Sequence, residues 1–162
     1  YTRDWVNLTP AQAEQLADEV PTLAGWKDGQ GELRNYQRIR ARLGDRFTWI
    51  GGVGDDLVGG YYGIGIRRYT SSISSVAPKL SILLHEAGAA RDEATLTELT
   101  NRHVLPLYDL RSRRKGYEVS AMKTLLDLRG LAGGPVRPPL VEVTSDEREE
   151  LQAILDDWKE FL

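Results

Sequence analysis

Apolar positions in the first part of the chain alternate between two periods. Thr9-Pro10-Ala11-Gln12 reads as a helix start: Thr9 can cap, Pro10 suits the first helical position, and Gln12 can reach back to complete a capping box. That helix is predicted to run to Val20, where Pro21 stops it. Thr22 to Lys27 reads as a short buried strand closed by Asp28-Gly29. Glu32 to Leu43 returns to helical spacing, with Leu33, Tyr36, Ile39 and Leu43 on one face and Gly44 ending it. The alternation then repeats. Arg46 to Ile50 is a second predicted strand, Gly51-Gly52-Val53-Gly54 a turn, Asp55 to Tyr62 a short helix, and Ile64 to Tyr69 a third strand running into Thr70-Ser71-Ser72.

Beyond Tyr69 the strand period disappears. Val76 to Ala87, Glu93 to about Leu110, Tyr117 to Leu128 and Asp146 to Leu162 all carry helical spacing. The last is the clearest, with Thr144 and Glu147 as a capping box and Leu151, Ile154, Leu155, Trp158 and Phe161 on one stripe. Strands alternating with helices imply an α/β fold with parallel strands joined by crossovers. Three strands are few for 162 residues. The predicted architecture is therefore the C-terminal part of a (β/α)8 TIM barrel, its last strands and helices in residues 1–75. The final barrel helix and a helical C-terminal region are expected in residues 76–162. Tyr1-Thr2-Arg3-Asp4-Trp5 reads as the middle of a longer chain, so a fragment is expected.

Composition narrows the function classes. Hydrophobic residues make up 41% and charged residues 28%, the balance of a soluble globular chain. No apolar run approaches the roughly 20 residues of a membrane-spanning helix. A net charge of −3 offers no global basic surface for nucleic acid, and the block Arg111-Ser112-Arg113-Arg114-Lys115 is expected to be a solvated helix end. With zero cysteines there is neither a disulfide framework nor a thiolate metal site, which suits a reducing, cytoplasmic setting. His85 and His103 are too few for a histidine-rich metal site, so no metal is expected. His103 shares a helix face with Leu96, Leu99 and Leu107, the placement of a core histidine.

Three places could carry chemistry. Lys27 follows the apolar run Leu23-Ala24-Gly25-Trp26 at the C-terminal end of a strand, where barrel active sites lie. Desolvation there lowers an amine's pKa, and a neutral amine can attack a carbonyl to form a Schiff base. The alternative is a lysine that snorkels to solvent or pairs with Asp28. Gly51-Gly52-Val53-Gly54-Asp55-Asp56 lacks the Gly-Lys-Ser/Thr of a phosphate loop, and its aspartates would repel phosphate; a tight turn beside a substrate pocket fits better. Tyr69, Thr70 and Ser71 form a hydroxyl cluster able to bind substrate oxygens, with helix capping as the alternative. Tyr1 has no role that spacing assigns.

Taken together, Tyr1-Thr2-Arg3-Asp4, Gly25-Trp26-Lys27-Asp28-Gly29, Gly51-Gly52, Tyr69-Thr70-Ser71, Gly116-Tyr117-Glu118-Val119-Ser120 and Gly134-Pro135-Val136-Arg137-Pro138-Pro139-Leu140 resemble the second half of the 5-dehydro-4-deoxyglucarate dehydratases. These belong to the dihydrodipicolinate synthase and N-acetylneuraminate lyase superfamily. The resemblance implies that Lys27 forms a Schiff base with a 2-oxo acid and that Tyr1 relays protons near that carbon. No metal or organic cofactor is then required. The implied reaction converts 5-dehydro-4-deoxy-D-glucarate to 2,5-dioxopentanoate with loss of water and carbon dioxide. Substrate contacts are expected at Gly51, Gly52, Tyr69, Thr70 and Ser71. The expected partners are the small-molecule oxo acid, the N-terminal half of the barrel and further copies in a homo-oligomer, with no nucleic acid and no membrane. Thr2, Trp5, Arg67, Arg68 and Ser74-Ser75-Val76 depart from the dehydratase pattern near the expected distal end of the substrate, where an arginine could clamp a second carboxylate or point outward to solvent. The alternatives are another aldolase or synthase of the superfamily with a different oxo acid, or a non-catalytic assembly fragment.

Overall fold

The computed structural model describes residues 6–162, and two compact units divide it, one ending at Thr70 and the other spanning Ser71–Leu162. In the first, α1 (Pro10–Glu19) opens on the predicted capping box. Thr9 accepts the Gln12 N–H, and the Gln12 side chain accepts the Thr9 N–H at 2.9 Å. β1 (Gly25–Lys27) lies parallel to β2 (Thr48–Ile50) with Trp26 opposite Trp49, and α2 (Leu33–Leu43) connects them.

Side chains alternate across this pair as strand geometry requires. Trp26 and Trp49 are buried on one face with Phe47, and the buried side of α2 carries Tyr36, Ile39 and Leu43. The aromatic rings meet at angles: Phe47 and Tyr36 each stand edge-on to Trp49 with centroids 5.7 Å apart. The Trp49 indole N–H donates to the Gly44 carbonyl at 2.8 Å, so its one polar atom is satisfied. Gly25 and Thr48 share the opposite face and are exposed, while Lys27 and Ile50 on that face are half-buried.

The strands are shorter than their apolar runs predict. Thr22 and Ala24 are exposed and lie outside β1, and Gly44–Arg46 forms a 3-10 turn instead of leading into β2. The third predicted strand, Ile64 to Tyr69, is reduced to one parallel bridge between Gly51 and Tyr69. The reason lies in the end of α3 (Val58–Gly63). The amides of Ile64, Gly65 and Ile66 turn back to the carbonyls of Gly60, Tyr62 and Tyr61, and Gly65 takes φ +84° to allow it. Those residues are committed to a helix C-terminus, and only Arg68 to Thr70 remain to reach Gly51.

The second unit is helical: α4 (Pro78–Ala90), α5 (Glu93–Leu99), α6 (Leu105–Ser112), α7 (Tyr117–Leu128) and α8 (Ser145–Asp157). The predicted helix from Glu93 to Leu110 is one rod with a π turn at Thr100–Val104 between α5 and α6. Pro106 has no N–H to continue the ordinary ladder, and just before it the Leu105 N–H reaches five residues back to the Thr100 carbonyl. Leu80, Leu84, Leu107, Leu110, Leu125, Leu151 and Trp158 fill the core. His103 is buried beside Phe161 of that core: the residue is 4% exposed, Nδ1 pairs with Asp157, and the Phe161 ring stands edge-on at 4.8 Å. Among the described residues no helix is long and apolar enough to cross a membrane, and no three His, Asp or Glu side chains cluster as a metal site would require.

Candidate active site

Lys27 is the last residue of β1, and its aliphatic stem lies across Gly52, two residues past the end of β2. A methyl group at Gly52 would fall 1.8 Å from the Asp28 carbonyl oxygen, 2.6 Å from Lys27 Cγ and 2.8 Å from its Cε. Gly51 is equally confined, because a methyl there would lie 2.4 Å from Cδ2 of Tyr61. The paired glycines therefore make room for a lysine stem on one side and a phenol ring on the other. Gly51 also holds the next segment: its N–H donates to the Arg68 carbonyl at 2.8 Å and its carbonyl accepts the Thr70 N–H at 2.9 Å. Lys27, Gly51, Gly52, Tyr69 and Thr70 are thus brought together at the C-terminal ends of the two strands.

Asp28 anchors this cluster from below. Its buried carboxylate accepts the N–H groups of Gln30 at 3.0 Å and Gly31 at 3.1 Å and the hydroxyl of Tyr61 at 2.8 Å. The Tyr61 oxygen in turn accepts the Val53 N–H at 3.3 Å. The loops after β1 and β2 are therefore joined through one carboxylate and one phenol. Burial, and then the bond to Asp28, push the Tyr61 hydroxyl well above the usual phenol range, so it remains a proton donor.

Ser71 opens the second unit, where its hydroxyl meets that of Ser81 at 2.6 Å and accepts the Ser74 N–H at 2.9 Å. That is the capping alternative for this residue. Arg67 donates to the Tyr62 carbonyl at 2.6 Å and lies 5.3 Å from the centroid of the Tyr62 ring, while Arg68 is exposed. Tyr1 lies outside the described residues. Spacing offers Asp28 as the close of the strand and as an ion-pair partner for Lys27, and it assigns Tyr61 no role. The available signal was a tyrosine pair, Tyr61-Tyr62, within a glycine-rich helix too short to bury both rings unaided.

Residues 2–158 match the Dihydrodipicolinate synthetase family. The chain belongs to this family. A relative in Allorhizobium ampelinum named "Probable 5-dehydro-4-deoxyglucarate dehydratase" is 42% identical over 162 residues, 99% of this chain and 54% of the relative. A relative of the same name in Azotobacter vinelandii is 38% identical over 157 residues, 96% of this chain and 52% of the relative. Crystal structures of dihydrodipicolinate synthase from Bacillus clausii and Oceanobacillus iheyensis superpose with TM-scores of 0.86 at 20% and 23% identity. They cover 98% and 99% of this chain but 54% and 53% of those chains. The chain thus spans about half the length of the family members it matches. Its helix-rich fold with a small parallel sheet is that of half of such a barrel protein.

Proposed function

We propose that Lys27 is the imine-forming residue of a Schiff-base lyase acting on a sugar-derived 2-oxo acid, and that this chain is the C-terminal part of its (β/α)8 barrel. The observation that carries the reading is Lys27 at the end of β1 with its stem laid across Gly52, in a chain of the dihydrodipicolinate synthetase family. In the proposed mechanism the neutral amine attacks the oxo carbon, the carbinolamine loses water, and the resulting iminium draws electrons from the adjacent carbon. A proton leaves that carbon, the enamine expels the neighbouring hydroxyl as water, and hydrolysis returns Lys27. Gly51, Gly52, Tyr69 and Thr70 supply the wall at which substrate oxygens are held. Tyr1 is the proposed proton relay.

The names of the relatives favour 5-dehydro-4-deoxy-D-glucarate as substrate, with decarboxylation following dehydration to give 2,5-dioxopentanoate. The remaining half of the barrel, which the relatives carry in their own length, is the proposed partner of this chain. Borohydride trapping tests the reading. Incubation with the oxo acid and reductant should add one substrate-sized mass at Lys27, and Lys27→Ala should abolish it while leaving the circular-dichroism spectrum unchanged. Labelling at another lysine, or none with any 2-oxo acid in the presence of the complementary half, would sink the proposal.

A further inference from the structure

We propose that Tyr36 is a positioning residue for Lys27: its hydroxyl ties the ends of β1 and β2 together and thereby fixes where the lysine stem crosses Gly52. The inference rests on the Schiff-base reading above and adds to it a residue that acts through the backbone.

Tyr36 belongs to α2, the helix that leaves β1, and is 3% exposed. Its oxygen lies 2.8 Å from the Trp26 carbonyl, 3.0 Å from the Ile50 carbonyl and 3.1 Å from the Ile50 nitrogen. The single phenol proton serves one carbonyl at a time, and the oxygen accepts the Ile50 N–H. Trp26 immediately precedes Lys27, and Ile50 immediately precedes Gly51-Gly52. The Ile50 carbonyl also accepts the Asp28 N–H at 3.0 Å, so the tie reaches the backbone on both sides of Lys27.

Two features make this more than ordinary core satisfaction. Each strand is only three residues long, so few ladder bonds hold the register at the end where Lys27 sits. The apolar work of the ring, edge-on to Trp49 at 5.7 Å and to Tyr61 at 6.3 Å, would be done equally by phenylalanine. The hydroxyl adds a burial cost that phenylalanine would avoid, and it is placed where the two strand ends meet. Burial also holds the Tyr36 proton on, well above the usual phenol range, so the group is a fixed tie rather than a base.

The test uses the full chain, pyruvate as probe and cyanoborohydride as reductant, with the adduct at Lys27 quantified by peptide mass. Tyr36→Phe should lower the maximal trapping rate about tenfold, since misplacing a reacting group by a fraction of an ångström has effects of that order, with half-saturation moved less than about twofold. Tyr62→Phe is the control, because it deletes another buried phenol, whose hydroxyl faces the Arg67 carbonyl at 3.3 Å, and should trap like the parent. Amide exchange at Ile50 should quicken in Tyr36→Phe alone. Equal maximal rates in the two variants, corrected for folded fraction, would overturn the assignment. A parent that forms no adduct with pyruvate or any other 2-oxo acid, the complementary half being present, sinks the Schiff-base reading instead. Tyr36 is then judged on carbon-13 dimethylated chain: displacement of the Lys27 resonance and its titration by Tyr36→Phe but not Tyr62→Phe upholds the tie, and superposable titrations refute it.

Discussion

At Gly52 two backbones and a side chain converge, and the consequences can be measured one atom at a time. Gly52→Ala places its methyl group 1.8 Å from the Asp28 carbonyl oxygen, a contact with backbone that no rotamer change relieves. The expected loss is about 3 kcal/mol in urea unfolding, together with loss of trapping at Lys27. Tyr61→Phe leaves the buried Asp28 carboxylate with its two backbone donors but without the phenol, and should cost about 1–3 kcal/mol. It also changes the alkaline limb. The folded state holds the Tyr61 proton more tightly than the unfolded chain does. That contribution is complete below the ordinary phenol pKa and is lost as pH rises above it. Urea midpoints of Tyr61→Phe should therefore fall less steeply with alkaline pH than those of the parent; parallel curves would refute this. The place of Lys27 at a strand end was legible in sequence because its strand and neighbours are contiguous. Tyr61 and Tyr36 were not, since each meets its partners only after separations of 33 and 10 or 14 residues are closed by the fold.

Among the elements, those bounded by local chemistry were the readable ones. The Thr9–Gln12 and Thr144–Glu147 capping boxes both form, because each needs only residues three apart. Thr144→Ala should destabilise the helical unit by about 1 kcal/mol. Glu147 is held below the usual carboxylate range chiefly by the Thr144 N–H and then by the Tyr117 hydroxyl. A lowered folded-state pKa stabilises above the unfolded value and is lost as pH falls through the folded one. Glu147→Gln should therefore flatten the acid limb of the stability curve, and an unchanged limb would contradict the role. The third strand was misread because Ile64 and Ile66 have β-prone side chains, yet they and Gly65 spend their amides on the end of α3. The π turn hid behind continuous helical spacing, although Pro106 marked where the ladder had to widen.

For the whole molecule, the division into an α/β unit and a helical unit follows from burial patterns of different kinds. Helical stripes at 76–162 close on themselves, with Trp158 fully buried at their centre. In the first unit one face of the β1–β2 pair carries the tryptophans, while Gly25 and Thr48 on the other are exposed. In the proposed (β/α)8 barrel that face turns inward, against side chains of the remaining strands. Sedimentation velocity of this chain alone should show concentration-dependent association, and Thr48→Lys should shift it toward monomer; a monomer at every concentration would contradict this. The aromatic packing has a spectroscopic consequence as well. Trp26 and Trp49 stand 6.5 Å apart with ring planes at 35°, near enough for their excited states to couple. The resulting exciton couplet in circular dichroism belongs to the two strands alone, whereas the Trp158 indole, hydrogen-bonded to the His103 carbonyl at 2.9 Å, emits from within the helices. The couplet thus reports on the unit that carries Lys27, while fluorescence sums the tryptophans of both units.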